Sequence, residues 1–208
     1  EPLTSFIGRQ TELAAITALV QNTRLVTLTG PGGVGKTRLA LAVRVQVTPH
    51  FPDGVFAVAL ASLQHPDYIW HAVAAAAGIK EQERHAVQER VMDFFAGKSV
   101  LLLLDNFEHL LAAAPQVTAL LDRAPRLHVL VTSRAPLQVH GEQEYPVAPL
   151  MLPTDTGQDR PEETEAVHFF VDRVRLAMPG FRITPANAHA VAQLCVALDG
   201  LPLALELA

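Results

Sequence analysis

Cysteine is almost missing from this chain: Cys195 is the only one in 208 residues. A lone thiol cannot build a disulfide framework, so a reducing compartment is the default, and its apolar helical neighbours Val191, Leu194 and Leu198 mark it as core. Clustered positive charge is missing too. Sixteen Lys and Arg stand against twenty-one Asp and Glu, a net charge of −5, and no stretch gathers the basic residues that a phosphate-backbone surface needs. Direct nucleic-acid contact by these residues is therefore not expected. No apolar run approaches membrane-spanning length, and the N-terminal residues lack a basic-then-apolar export signal, so the expectation is a cytoplasmic protein without membrane contact. None of the nine histidines has a metal-site spacing with a neighbouring carboxylate; His109 and His128 read as packing or surface residues. No Ser-His-Asp or Cys-His nucleophile pattern, internal repeat or low-complexity tract can be read.

What the chain does have is an apolar half, enough for one sizeable core and a smaller second unit. It also has the run Gly30-Pro31-Gly32-Gly33-Val34-Gly35-Lys36-Thr37, which fits G-x-x-x-x-G-K-[ST] at every fixed position. A β-branched apolar run, Arg24 to Thr29, precedes it, and a helical pattern with Leu39, Ala40 and Val43 follows. A strand feeding a glycine loop that feeds a helix is the arrangement in which backbone N–H groups turn inward around phosphates, assisted by the helix N-terminus. Lys36 would then reach the β- and γ-phosphates, and the Thr37 hydroxyl would hold Mg²⁺.

Strand and helix patterns alternate from residue 9 to about 150, which predicts an α/β fold with a parallel sheet covered on both faces. Strands are expected at 24–29, 55–61, 99–104, 127–132 and 144–148, with helices near 9–21, 36–47, 66–78, 83–96 and 107–122. Residues 1–150 form the P-loop unit in this reading. Residues 151–164 are polar and punctuated by Pro and Gly, a linker, and 165–208 carry helical stripes, with Thr184-Pro185 opening the second helix. The pattern from Leu201 to Ala208 has no terminating signal, and the chain reads as a piece of a longer polypeptide.

Three further positions collect at the expected C-terminal edge of the sheet. Val100 to Leu104 is a buried-strand run closed by Asp105, which places a carboxylate beside a phosphate-bound Mg²⁺. Asn106 follows, and an amide cannot take a proton from water; Glu108 is the nearest substitute base, or else a first-turn acid favouring a helix dipole. Arg134, after the strand ending in Thr132-Ser133, offers a planar donor fork that suits a phosphate, or a surface ion pair.

Together these segments resemble a known family. Phe6-Ile7-Gly8-Arg9-Gln10-Thr11-Glu12 looks like an hhGRxxE motif, Gly30 to Thr37 like Walker A, and Leu101 to His109 like Walker B. Thr132-Ser133-Arg134 looks like sensor 1 and Gly200-Leu201-Pro202-Leu203 like GLPL. In this order they resemble the STAND nucleotide switches of the NB-ARC class, specifically the ATPase module of bacterial AfsR- and LuxR-type regulators. The resemblance implies an AAA+-like three-layer sheet with a small helical subdomain, binding ATP or ADP with Mg²⁺. Ile7 and Gly8 would lie against adenine, Arg9 near the nucleotide, Pro202 on the base, and Arg134 would sense the γ-phosphate. The implied nucleotide-binding set is Ile7, Gly8, Arg9, Gly30, Gly32, Gly33, Val34, Gly35, Lys36, Thr37, Arg38 and Pro202. Lys36, Asp105, Asn106, Glu108 and Arg134 are the candidates for the hydrolytic chemistry, Thr37 and Asp105 for the metal. The family continues into winged-helix and repeat domains, with nucleotide-driven homo-oligomers as assemblies. Asn106 departs from the acidic pair of plant and animal relatives, which implies slow hydrolysis. An AAA+-type motor or loader, a small-molecule kinase and a scaffold without nucleotide are the rival readings.

Overall fold

The computed structural model describes residues 6–80, 86–153 and 164–208. Five parallel strands form one sheet: β1 (Leu25–Thr29), β2 (Val55–Ala59), β3 (Val100–Asp105), β4 (Leu127–Thr132) and β5 (Glu142–Pro146), in the spatial order β2-β3-β4-β1-β5. The fold is α/β, as the alternating pattern predicts. Helices α1 (Gln10–Asn22) and α2 (Lys36–Val47) cover one face, and α3 (Ile69–Ala76), α4 (Val87–Phe95) and α5 (Ala114–Arg123) the other.

Alternation along the strands explains how one apolar run serves both faces. Leu101 and Leu103 of β3 pack with Val26, Leu28 and Leu130 under α1 and α2. Leu102 and Leu104 point the other way, joining Leu25, Val129 and Val131 beneath α3 to α5. A continuous leucine run is therefore required, not merely tolerated.

Several elements differ from the sequence expectation for physical reasons. β5 lies at 142–146, not 144–148, because it is an edge strand: Glu142, Gln143 and Glu144 face solvent or partners, and Pro146 ends it without a donor. Its register on β1 is fixed by backbone pairing and by the Thr29 hydroxyl, which donates to Glu144 Oε1 at 2.6 Å. The helix expected from 107 starts at Ala114 after a 3₁₀ turn over Leu111–Ala113, because the Phe107 N–H is tied to the Thr132 carbonyl and its ring is buried. The segment 83–96 becomes α4 from Val87, with 81–85 outside the described residues.

Helices α6 (Glu165–Ala177), α7 (Ala188–Ala197) and α8 (Pro202–Leu207) enclose a third apolar cluster around Val167, Phe170, Val191, Cys195 and Leu205. Burial pushes the Cys195 thiol up to about 11, as suits an inert core residue. α7 opens at Ala188; Thr184 and Pro185 sit one turn earlier, where the Thr184 carbonyl accepts from the Asn187 and Ala188 N–H groups. The linker read at 151–164 lies, from 154 to 163, outside the described residues. Among the described residues no helix is long and apolar enough to cross a membrane.

Candidate functional site

β1 occupies the sheet position between β4 and β5, so its C-terminal end delivers residues 30–35 to the edge where Asp105 and Thr132 also finish. The loop's shape requires glycine. Gly30, Gly33 and Gly35 have φ of 142, 78 and 98°, and a Cβ on Gly33 would stand 3.0 Å from Leu203 Cβ. Val34 points down into the α1–α2 core and is fully buried, so it anchors the loop from beneath and leaves only its backbone to face a ligand. Gly33→Ala is expected to destabilise the protein by about 1–3 kcal/mol, through a left-handed non-glycine residue and displacement of Leu203. A denaturant melt measures this, and an unshifted midpoint would refute it.

Lys36, at the start of α2, folds back over the loop and donates to the Gly30 and Pro31 carbonyls at 2.8 and 3.0 Å. Burial pulls its pKa below the usual lysine range, opposed by the Glu108 carboxylate and reinforced by Arg134. The next side chain, Thr37, donates to Asp105 Oδ1 at 2.7 Å, and the same oxygen accepts from Thr132 Oγ1 at 2.6 Å. A hydroxyl and a carboxylate in contact are hard oxygen donors, and two such ligands suit a Mg²⁺ that keeps most of its waters. The residues present therefore fit the metal the motif implies.

Asn106 takes the left-handed conformation, φ 69°, and its N–H donates to Thr132 Oγ1 at 2.9 Å. Asn enters that region more readily than most residues, so the amide has a backbone reason to stand here. Glu108 precedes the 3₁₀ turn and is not a first-turn helix acid. Its Oε1 accepts from Arg134 Nε at 3.0 Å, while Oε2 is buried with no hydrogen-bond partner among the described residues. Arg134 reaches over the loop, with Nη2 at 3.4 Å from the place of a Gly32 Cβ. An open pocket holds Gly32, Lys36, Thr37, Asn106, Glu108, Thr132 and Arg134 together, closed on the far side by Phe169, Pro202, Leu203 and Glu206.

A second, small recess, about 30 Å³, is lined by Phe6, Ile7, Arg9, Gly35, Arg38, Leu150, Phe169 and Pro202. It shares Gly35, Arg38, Phe169 and Pro202 with the first pocket, so an elongated ligand could run from one to the other. Ile7 also packs on the α6–α8 cluster. Gly8 does not line the recess; its α-carbon faces Glu165. Arg38 is held by burial below the usual arginine pKa, with Arg173, Glu206 and Asp172 as its charged neighbours. α8 touches the loop directly, through a Leu203 N–H donated to the Gly33 carbonyl at 3.2 Å.

The structure thus gathers Lys36, Thr37, Asp105, Asn106, Glu108 and Arg134 at one edge and Ile7, Arg9, Arg38 and Pro202 beside it. Sequence reasoning missed Thr132 as the hydroxyl that holds Asp105, although its place at a strand end was a signal. It missed Phe169 and Glu206 altogether, because nothing in their own helices points toward a glycine loop far away in the chain.

Comparison with known proteins follows the same lines. The sequence profile of the AAA domain matches residues 19–140. An uncharacterised protein of Mycobacterium tuberculosis is 38% identical over 207 residues, covering 99% of this chain and 50% of that protein. Another M. tuberculosis protein, named as an HTH-type transcriptional regulator, is 40% identical over 192 residues, 92% of this chain and 20% of that protein. The regulatory protein AfsR of Streptomyces griseus is 34% identical over 145 residues, 62% of this chain and 14% of AfsR. The chain thus spans half the length of the first of these relatives and less of the others. Among solved structures, the STAND protein with a tetratricopeptide repeat sensor from Pyrococcus horikoshii aligns with a TM-score of 0.55 at 17% identity, over 100% of this chain and 30% of that one. A Walker-type ATPase of Pyrococcus abyssi aligns with a TM-score of 0.61 at 13% identity, over 97% and 66%. At such identities the likeness is one of fold.

Proposed function

The chain belongs to the AAA domain family, and on that premise we propose that it is the ATP- and ADP-binding switch module of a signal-transduction or transcriptional regulator, of the STAND, NB-ARC-like kind. The observation that carries the reading is the seam between the glycine loop and α8: the Leu203 N–H bonded to the Gly33 carbonyl, with Pro202 and Phe169 spanning both pockets. A ligand in those pockets touches the sheet and the helices at once. Its phosphates would lie on residues 30–37 and its base toward Ile7 and Pro202. Bound Mg²⁺ would sit at Thr37 and Asp105 and supply charge neutralisation for the phosphates. A nucleotide shifts a conformational equilibrium only by its difference in affinity for the two states, and ADP and ATP would differ at the third phosphate, beside this seam. Further domains of a longer chain and a nucleotide-driven homo-oligomer are the proposed partners. Mass spectrometry of the nucleotide released from purified, heat-denatured protein tests the reading; purified protein that neither carries nor takes up adenine nucleotide would overturn it.

Arg134 supplies the test of state. Its guanidinium rests on Glu108 at 3.0 Å at the loop's mouth, where only a third phosphate would reach it. Arg134→Ala is expected to weaken ATP roughly ten- to a hundredfold while ADP affinity barely changes, because charge-assisted hydrogen bonds contribute about 1.5–3 kcal/mol. Equal losses for both nucleotides in calorimetry would reduce Arg134 to a structural role. The second reading, a rapidly cycling AAA+-type motor or loader, draws on Glu108 in the lining of the phosphate pocket, whose Oε2 has no hydrogen-bond partner among the described residues.

A further inference from the structure

Two consecutive residues before α1, Gly8 and Arg9, have left-handed backbones, with φ of 69 and 58°. For arginine that conformation is uncommon and strained, so something must hold it. What holds it is Glu165, the first residue of α6 and far away in sequence. Its Oε1 accepts the Arg9 N–H at 2.7 Å, and the same oxygen lies 2.9 Å from where a Cβ on Gly8 would be. A side chain on Gly8 would press on this carboxylate from a left-handed backbone, so the Glu165 side chain would have to shift from the Arg9 N–H.

The turn so fixed aims a side chain. Arg9 is 4% exposed, with Nη2 donating to the Ala148 carbonyl at 2.8 Å. Its Nη1 is buried with no hydrogen-bond partner among the described residues, on a residue that lines the recess and 3.7 Å from the place of a Gly35 Cβ. A buried, unsatisfied guanidinium nitrogen is unfavourable in isolation and becomes favourable once an acceptor oxygen meets it. Burial depresses the Arg9 pKa, while Glu12 and Glu165 hold the group charged. A cation kept charged, dry and one donor short beside an open recess is a binding group waiting for an acceptor.

We infer that Glu165 is a positioning residue for the nucleotide: from the start of α6 it sets the Gly8–Arg9 turn, and with it the guanidinium that meets the nucleoside side of the ligand. The inference rests on the nucleotide-binding reading above and deepens it. Affinity for the nucleoside portion then depends on α6 being seated, whereas the glycine loop and Lys36 grip phosphates without it. The sheet reads the phosphates, and a helix outside the sheet licenses the reading of the rest.

The experiment compares two probes by calorimetry, ADP and inorganic tripolyphosphate, each with Mg²⁺, on the chain and its variants. Glu165→Ala is expected to weaken ADP roughly ten- to a hundredfold and to leave tripolyphosphate unchanged. Glu165→Gln keeps an amide oxygen to accept the Arg9 N–H and should restore most of the ADP affinity. Gly8→Ala leaves the carboxylate in place but drives a methyl into it, and should reproduce the ADP-specific loss; it also serves as the test if Glu165→Ala does not fold. Unchanged ADP affinity in the variants, or equal loss for both probes, would overturn the positioning role. Failure of the unmodified chain to bind either probe is a different result, and it would overturn the nucleotide reading itself.

Discussion

Lys36→Ala is expected to abolish or strongly weaken the binding of both ADP and ATP. On the proposed reading both nucleotides would present a β-phosphate to the loop, and the lysine would supply a point charge to it. The ammonium donates to the Gly30 and Pro31 carbonyls, which holds it over the loop. Its stem emerges from the first residue of α2, where the helix N-terminus favours the same anion. At nucleotide concentrations a hundred times the dissociation constant, the unmodified chain should gain about 2.7 kcal/mol of stability. That gain should vanish in Lys36→Ala, read as the loss of a melting shift. A variant that shifts as much as the parent would mean that the pocket has been misplaced.

The second large effect concerns hydrolysis. General-base assistance contributes roughly 10²–10⁴ in rate, so a site with Asn106 in the position of the acid should turn over far below the ~1–10³ s⁻¹ of ordinary enzymes. A state once set would then persist, which suits a switch and defeats a motor. Asn106→Asp is expected to raise single-turnover hydrolysis by one to a few powers of ten, within that general-base range. The substitution is tolerable where many would not be, since Asp also enters the left-handed region and the N–H bond to Thr132 is a backbone bond. Glu108→Gln is the companion. With one carboxylate oxygen accepting from Arg134 and the other without a partner among the described residues, Glu108 is the proposed alternative base, which Arg134 would release on meeting a third phosphate. Loss of residual hydrolysis in that variant would assign the base to Glu108. Rapid turnover by the unmodified chain, absent in Lys36→Ala, would sink the switch reading and promote the motor.

The parts of this molecule that could be read from sequence are those in which one local constraint dictates residue type. β1, β3 and β4 are covered on both faces, so they are mainly apolar or β-branched, and they were legible as such. Residues 30–37 were legible because left-handed backbone and close packing demand glycine at fixed spacings. β5 was misplaced by two residues because an edge strand pays no penalty for Glu and Gln, and its pattern carries little contrast. The start of α5 was misplaced because its delay is set by the Phe107 N–H reaching a carbonyl on another strand. Asp105 could be expected at the edge, but not that two hydroxyls from Thr37 and Thr132 converge on one of its oxygens. Glu165 had no local signal whatever: in its own segment it reads as a favourable acid in a helix's first turn.

The strand order has a kinetic side. β1 is hydrogen-bonded to β4 and β5, whose partners for Leu25 are Val129 and Glu142, and to no strand closer in the chain. Such distant parallel pairings form slowly, since a long loop must close before any contact rewards it. During synthesis β1 therefore waits, its five residues apolar or β-branched and unpaired, until the chain has grown past residue 132 and then past 146. The glycine loop at its end is among the last features to acquire its shape. Truncation before β5 would leave β1 as a bare, sticky edge, and aggregation rather than inactivity would be its signature.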